Sequence, residues 1–166
     1  MDEPGDREYS RAPEVSDVTA LCRSLNAAAA RYVLIGGFAV ILNGAVRTTK
    51  DIDLLVDPAP DNVGRLRSAL SSLPDRAVLQ VEDSDVDRYG VVRVADEVVV
   101  DLMASACGVR YQDAIAAGID ERTIDGVTIP VASRGTLIRT KQTFRDSDRA
   151  DVAFLKRLID AEKSGR

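Results

Sequence analysis

Three aspartates lie in apolar runs of the sequence, where carboxylates are energetically unfavourable unless they have a functional role. Asp51 and Asp53 begin the aliphatic run Asp51–Val56, and Asp101 interrupts the apolar run Val98–Met103. Both runs predict β-strands, in which residues two apart point to the same face, so Asp51 and Asp53 project together. If the two strands are neighbours, three carboxylates meet, and we expect no counter-charge from the protein among them. A hard divalent cation, Mg²⁺ or Mn²⁺, would offset their repulsion.

A glycine pair lies upstream of these aspartates. Gly36 and Gly37 follow the predicted strand Tyr32–Ile35 and precede the apolar segment Phe38–Leu42, fourteen residues before Asp51. Glycine permits a tight turn and a close approach of backbone N–H groups to a ligand, and a helix N-terminus favours phosphate. The alternative is a plain turn or packing contact. A phosphate cradle beside a carboxylate metal site is what phosphoryl or nucleotidyl transfer requires.

The composition excludes several other kinds of site. The chain of 166 residues has no histidine, which removes Ser-His-Asp and Cys-His catalysis and zinc sites built on imidazole. Its two cysteines have no metal-like spacing, which is typical of a reduced cytoplasmic protein. The net charge of −5 argues against an extended electrostatic grip on nucleic acid. No run approaches the ~18 apolar residues of a membrane span, so we expect no membrane partner.

The apolar pattern predicts a single α/β domain over residues 14–166, preceded by a disordered lead-in over residues 1–13. Helices are predicted over 14–31, 38–42, 61–73, 111–117, 134–144 and 147–163. Strands are predicted over 32–35, 51–57, 78–81, 91–94 and 98–103. Two tight turns are expected, one at 95–97 between the last two strands and one at Asp125-Gly126 within a small hairpin.

The combined pattern resembles the nucleotidyltransferase superfamily, most closely the small bacterial branch that includes the AbiEii-type toxins. The motif consists of the glycine pair, then Arg47, Thr49 and the aspartate pair, then a single later aspartate. The segment from Lys141 to Asp151 resembles the lysine-bearing element of that branch, and the likeness covers about residues 32–158. It implies an α/β (α+β) fold with a mixed sheet flanked by helices. Many relatives have serine where this chain has Gly37, so serine is expected to be tolerated there.

The resemblance also implies roles for individual residues in a metal-dependent transfer of a nucleoside monophosphate from an NTP to an acceptor hydroxyl. The expected catalytic and metal-binding residues are Asp51, Asp53 and Asp101. The expected nucleotide-binding residues are Gly36, Gly37, Arg47, Thr49 and Lys141. The acceptor stays open among RNA such as a tRNA end, a protein side chain and a small molecule. An antitoxin or a second copy of the chain is the expected protein partner.

Each of these residues also has a purely structural interpretation. Arg47 and Thr49 could be ordinary loop residues, and Asp101 could face water at a strand edge. Helical spacing places Arg134, Lys141 and Arg145 on one face, either as a cationic stripe for a triphosphate or as a solvated surface. The alternative function is a toxin–antitoxin component or a regulatory nucleotide-binding module that acts through a partner protein.

Overall fold

A computed structural model describes residues 10–165 and is built around a six-stranded mixed sheet. The strands are β1 Tyr32–Ile35, β2 Asp51–Val56, β3 Val91–Ala95, β4 Val99–Met103, β5 Ser105–Ala106, β6 Val109–Arg110, β7 Ile119–Ile124 and β8 Val127–Ala132. The helices are α1 Val15–Ala27, α2 Gly36–Ile41, α3 Pro60–Leu70, α4 Asp85–Tyr89, α5 Tyr111–Ala117, α6 Arg134–Arg139 and α7 Asp146–Ser164, with a 3₁₀ helix at Ala77–Gln80. Strands β5 and β6 form a separate two-stranded hairpin.

The order of strands in the main sheet is β3-β4-β2-β1-β8-β7. Strand β2 pairs antiparallel with β1 and parallel with β4, and β4 pairs antiparallel with β3. The register places Ile35 opposite Asp53, Asp53 opposite Asp101, and Asp101 opposite Arg93. These four residues therefore form one row across the sheet, from β1 to the edge strand β3.

Side chains along β2 alternate between the hydrophobic core on one face and the aspartates on the other. Ile52 and Leu54 are fully buried in an aliphatic core, whereas Asp51 and Asp53 are only half-buried on the other face of the strand. Burying an aliphatic side chain of this size stabilises a fold by about 1.5–3 kcal/mol. A slip of one residue would bury both carboxylates instead, so the hydrophobic pattern fixes the face on which the aspartates lie.

Several elements differ from the sequence predictions, including the short strands β5 and β6, which were not predicted. The predicted strand over 78–81 is wrong, because Ala77–Gln80 is a 3₁₀ helix whose start is held by the buried carboxylate of Asp96. Asp96 accepts hydrogen bonds from the backbone N–H groups of Asp75 and Ala77, at 2.9 Å each. Helix α4 forms where no helix was predicted. Helix α6 ends at Arg139 instead of near residue 144, and the hydroxyl of the next residue, Thr140, donates to the Leu137 carbonyl at 2.7 Å.

The predicted disordered lead-in lies mostly outside the described residues, since residues 1–9 are not among them. The two residues that follow bind the turn between β3 and β4: the Ser10 hydroxyl donates to the carbonyl of Asp96 at 2.6 Å, and the Arg11 N–H donates to the carbonyl of Glu97 at 2.9 Å. None of the helices within residues 10–165 combines the length and the hydrophobicity of a membrane-spanning segment.

Candidate active site

The three aspartates singled out in the sequence meet at one end of the sheet. Asp51 and Asp53 come from β2, and Asp101 comes from the neighbouring parallel strand β4. One carboxylate oxygen of each lies within 4.8 Å of the others. All three line a cleft of about 580 Å³, and Asp101 is buried with 7% exposure, which answers the alternative that it faces water. The convergence predicted from strand spacing is therefore present.

The electrostatics of this cluster favour a bound cation. Burial raises the pKa of Asp53 to about 7, and the negative charges of Asp101 and Asp51 add to the shift. Burial also raises the pKa of Asp51, again helped by Asp101. Three carboxylates whose oxygens lie within 4.8 Å of one another supply only hard oxygen ligands, the set that Mg²⁺ and Mn²⁺ prefer. The residues present therefore fit a divalent metal of that class.

Arg93 supplies a counter-charge that the sequence analysis did not expect. Its Nε and Nη2 donate to the two oxygens of Asp101 at 2.9 and 3.0 Å, and Nη2 also donates to Asp51 at 2.8 Å. The expectation of a cluster without any protein counter-charge is therefore wrong. The pairing of Arg93 with Asp101 could have been predicted from the sequence. Both residues are four positions from Glu97 in the predicted turn, so a hairpin places them opposite each other.

The glycine pair lies against the site and not beside open solvent. Gly36 has a φ of +75°, and a Cβ built on it would lie 2.2 Å from an oxygen of Asp53. A Cβ on Gly37 would lie 2.7 Å from Oγ1 and 2.8 Å from Cβ of Thr49. The expectation that serine is tolerated at position 37 is therefore contradicted, because Thr49 would have to move. The turn is a close packing contact and also lines the cleft.

Lys141 is held by two aspartates at the start of α7. Its Nζ lies 3.0 Å from Asp151 and 3.7 Å from Asp148, and all three side chains are buried. Arg47 donates to the same oxygen of Asp151, and Arg145 donates to Asp148 at 3.1 Å. The loop residue Arg47 and the cations of the α6–α7 segment are thus tied together, and all five residues line the cleft.

The predicted arrangement of Arg134, Lys141 and Arg145 along one helix face is wrong. Helix α6 ends at Arg139, so Lys141 and Arg145 lie in the segment that follows it and border the cleft. Arg134 instead points elsewhere, donating to Asn43 at 3.0 Å and to Glu162 at 3.2 Å. Lys141 and Arg145 come from the loop between α6 and α7, where the regular spacing of a helix does not predict the direction of a side chain.

Comparisons with known proteins agree with this arrangement. The family model described as "Nucleotidyl transferase AbiEii toxin, Type IV TA system" matches residues 19–145. A solved structure, the lincosamide antibiotic adenylyltransferase LnuA with lincomycin bound, is similar with a TM-score of 0.52 and 15% identity, over 88% of this chain and 98% of that one. At that identity the likeness shows the fold, a mixed sheet flanked by helices. No curated protein matches the sequence.

Proposed function

Because the chain belongs to the nucleotidyl transferase AbiEii toxin family, we propose that it moves a nucleoside monophosphate from an NTP to a hydroxyl group of an acceptor. One observation carries this proposal: the carboxylates of Asp51, Asp53 and Asp101 meet in the same cleft as the glycine turn. A triphosphate with its divalent cations needs both features, oxygen ligands for the metal and close backbone N–H groups for the phosphates.

Asp51, Asp53 and Asp101 would hold Mg²⁺ or Mn²⁺. When bound, such ions neutralise phosphate oxygens and lower the pKa of an attacking hydroxyl. Asp53 must lose its proton before it can be a ligand, because its pKa lies at about 7. Asp101 is the carboxylate we assign to the acceptor hydroxyl, since the strand order puts it one strand farther than Asp53 from the glycine turn at the end of β1.

The opposite side of the cleft would bind the triphosphate. Gly36 and Gly37 would offer backbone N–H groups, and Arg47, Thr49 and Lys141 would contribute side-chain donors to phosphate oxygens. Lys141 has three N–H donors, of which the contact to Asp151 at 3.0 Å takes one. Its ammonium group is therefore able to serve the aspartate and a phosphate together. LnuA is an adenylyltransferase, which makes ATP the first donor to test.

The acceptor and the protein partner are proposed from the reaction type and the family description. RNA, a protein side chain and a small molecule all carry suitable hydroxyl groups. The family description names a Type IV toxin–antitoxin system, so we propose that the chain is the toxin of such a pair, counteracted by a cognate antitoxin. Because the reaction consumes an NTP, we place it in the cytoplasm, where the NTP pool is. A regulatory module would share the nucleotide site but transfer nothing.

The test uses each NTP labelled at the α-phosphate, incubated with Mg²⁺, the protein and a cell extract that is then separated into RNA, protein and small molecules. Transfer of a monophosphate should label one fraction from α-labelled but not from γ-labelled NTP. Asp101→Asn should abolish labelling, whereas Asp120→Asn, a half-exposed aspartate outside the cleft, should not. Nucleotide binding without any labelled fraction would support the regulatory module and overturn the transferase.

A further inference from the structure

Arg93 stands out because it binds two of the three clustered carboxylates and has no part in the proposed transfer. Its guanidinium forks onto both oxygens of Asp101 and reaches one oxygen of Asp51, with all three distances between 2.8 and 3.0 Å. Planar bidentate pairs of this kind are the stronger class of charged hydrogen bond. The groups that Arg93 binds are two of the three carboxylates that would hold the metal.

The place of Arg93 in the fold allows it to leave those carboxylates. It lies on β3, the edge strand of the sheet, and its side chain is 61% exposed. Among the acceptors of residues 10–165, its guanidinium binds only Asp51 and Asp101. A long exposed side chain with a single binding site can turn into solvent without disturbing the core.

The glycine turn lies across the sheet from Arg93, and Lys141 contacts Asp148 and Asp151 instead of the carboxylates that Arg93 binds. The row across the sheet runs from Ile35 through Asp53 and Asp101 to Arg93, with neighbouring strands about 4.8 Å apart. Arg93 therefore lies three strands from Ile35, the residue before the glycine turn. Its removal would leave the triphosphate side of the cleft intact.

We propose that Arg93 is a resident counter-cation, which Asp51 and Asp101 exchange for a divalent cation when the site is loaded. Arg93 thereby positions the two carboxylates before loading and sets the cation affinity of the site. The inference rests on the proposed metal site and deepens it. A guanidinium that donates to both oxygens of Asp101 repels a divalent cation at the same oxygens, so the two cannot share them without loss.

If Arg93 supports the metal site instead of competing with the metal, its removal changes the metal affinity in the opposite direction. If Arg93 stays in place and orients the ligands from behind, as partners of metal ligands commonly do, its removal weakens metal binding. If Arg93 competes with the metal, its removal strengthens metal binding. The sign of the change in Mn²⁺ affinity therefore decides between a competitor and a supporting residue.

The experiment titrates MnCl₂ alone, without nucleotide, into metal-stripped protein at pH 8, by calorimetry and by the electron paramagnetic resonance signal of free Mn²⁺. Arg93→Gln should bind Mn²⁺ about ten- to hundredfold more tightly than the unaltered chain, the range that corresponds to losing a charged hydrogen bond. Arg93→Lys keeps the charge but not the fork, so its affinity should fall between the two. Arg88→Gln is the matched control, since Arg88 is exposed over the ring of Tyr89 and touches neither carboxylate.

Melting temperatures of the same proteins give a second readout. Arg93→Gln should melt lower than the unaltered chain without Mn²⁺ and at the same temperature with saturating Mn²⁺, because Arg93 acts only before loading. Equal or weaker Mn²⁺ binding by Arg93→Gln, or equal tightening in Arg88→Gln, would overturn the inference. If Arg93→Gln does not fold, Arg93→Lys with unchanged affinity overturns it alone. Absence of Mn²⁺ binding in every protein would overturn the proposed metal site as well.

Discussion

Replacing Lys141 should destabilise the protein far more than a surface lysine would, whatever its effect on nucleotide binding. Its side chain is 5% exposed, and so is that of Asp151, its nearest partner at 3.0 Å. Breaking a buried ion pair from one side costs about 3–5 kcal/mol, because the remaining charge is left uncompensated. Asp151 keeps Arg47 as a second partner, so we expect Lys141→Met to lie near the lower end of that range.

The loss is measurable by heat and by urea. For a chain of this size each kcal/mol lowers the melting temperature by about 2–4 °C, so Lys141→Met should melt roughly 6–12 °C lower. Lys156→Met is the matched control, because Lys156 is exposed on the same helix α7, and it should change the melting temperature by no more than a degree or two.

A double-mutant cycle separates the ion pair from other effects of the substitution. Asp151→Asn alone should also destabilise, since it removes a charged partner from both Lys141 and Arg47. In the double variant the destabilisation should be smaller than the sum of the single effects, by about 1–3 kcal/mol. If Lys141→Met costs less than about 1 kcal/mol, or if the two changes are additive, then the buried pair does not hold the α6–α7 segment, and the reasoning fails.

Three further outcomes are expected. Without metal, the free energy of unfolding should fall as pH rises from about 4 to about 7, because folded Asp53, with a pKa of about 7, retains a proton that the unfolded chain has lost. Asp53→Asn should flatten this dependence, measured as melting temperature against pH. Stabilisation of the unaltered chain by MnCl₂ should be greater at pH 8 than at pH 6. Gly37→Ser should lower the melting temperature, and adding Thr49→Ala should recover part of the loss, since the new Cβ would meet Thr49; equal melting of Gly37→Ser and the unaltered chain would refute the contact. Asp101→Asn should lower kcat for NTP turnover by more than it changes the NTP KM, and full turnover would show that Asp101 is not catalytic.

The parts of the site predicted from sequence depend on regular geometry. The side-chain period of two along a strand was enough to place Asp51 and Asp53 on one face, because Ile52 and Leu54 had to be buried. Asp101 followed from the cost of a carboxylate inside an apolar strand. The family match over residues 19–145 confirms the nucleotidyltransferase assignment that these residues supported.

The features that were not predicted depend on contacts between residues distant in sequence, or on short segments that could form either a strand or a helical turn. A run of four residues such as Ala77–Gln80 carries too little periodicity to separate a strand from a helical turn. The end of α6 was placed too late, since helical spacing continues in the sequence past Thr140. Thr49 lies twelve positions after Gly37, beyond the rest of α2 and the loop that follows it, and nothing in the local pattern indicates their contact.

The turn between β3 and β4 determines which residue of β3 lies opposite Asp101. The buried Asp96 carboxylate accepts hydrogen bonds from Glu97, Asp75 and Ala77, which fixes the length of the turn. Strand β4 is pinned by its parallel partner β2, so inserting a single residue here would move β3 instead and bring a valine opposite Asp101 in place of Arg93. A change of one residue in the length of this turn would therefore remove the contact of Arg93 with Asp101 without replacing any residue of the cleft.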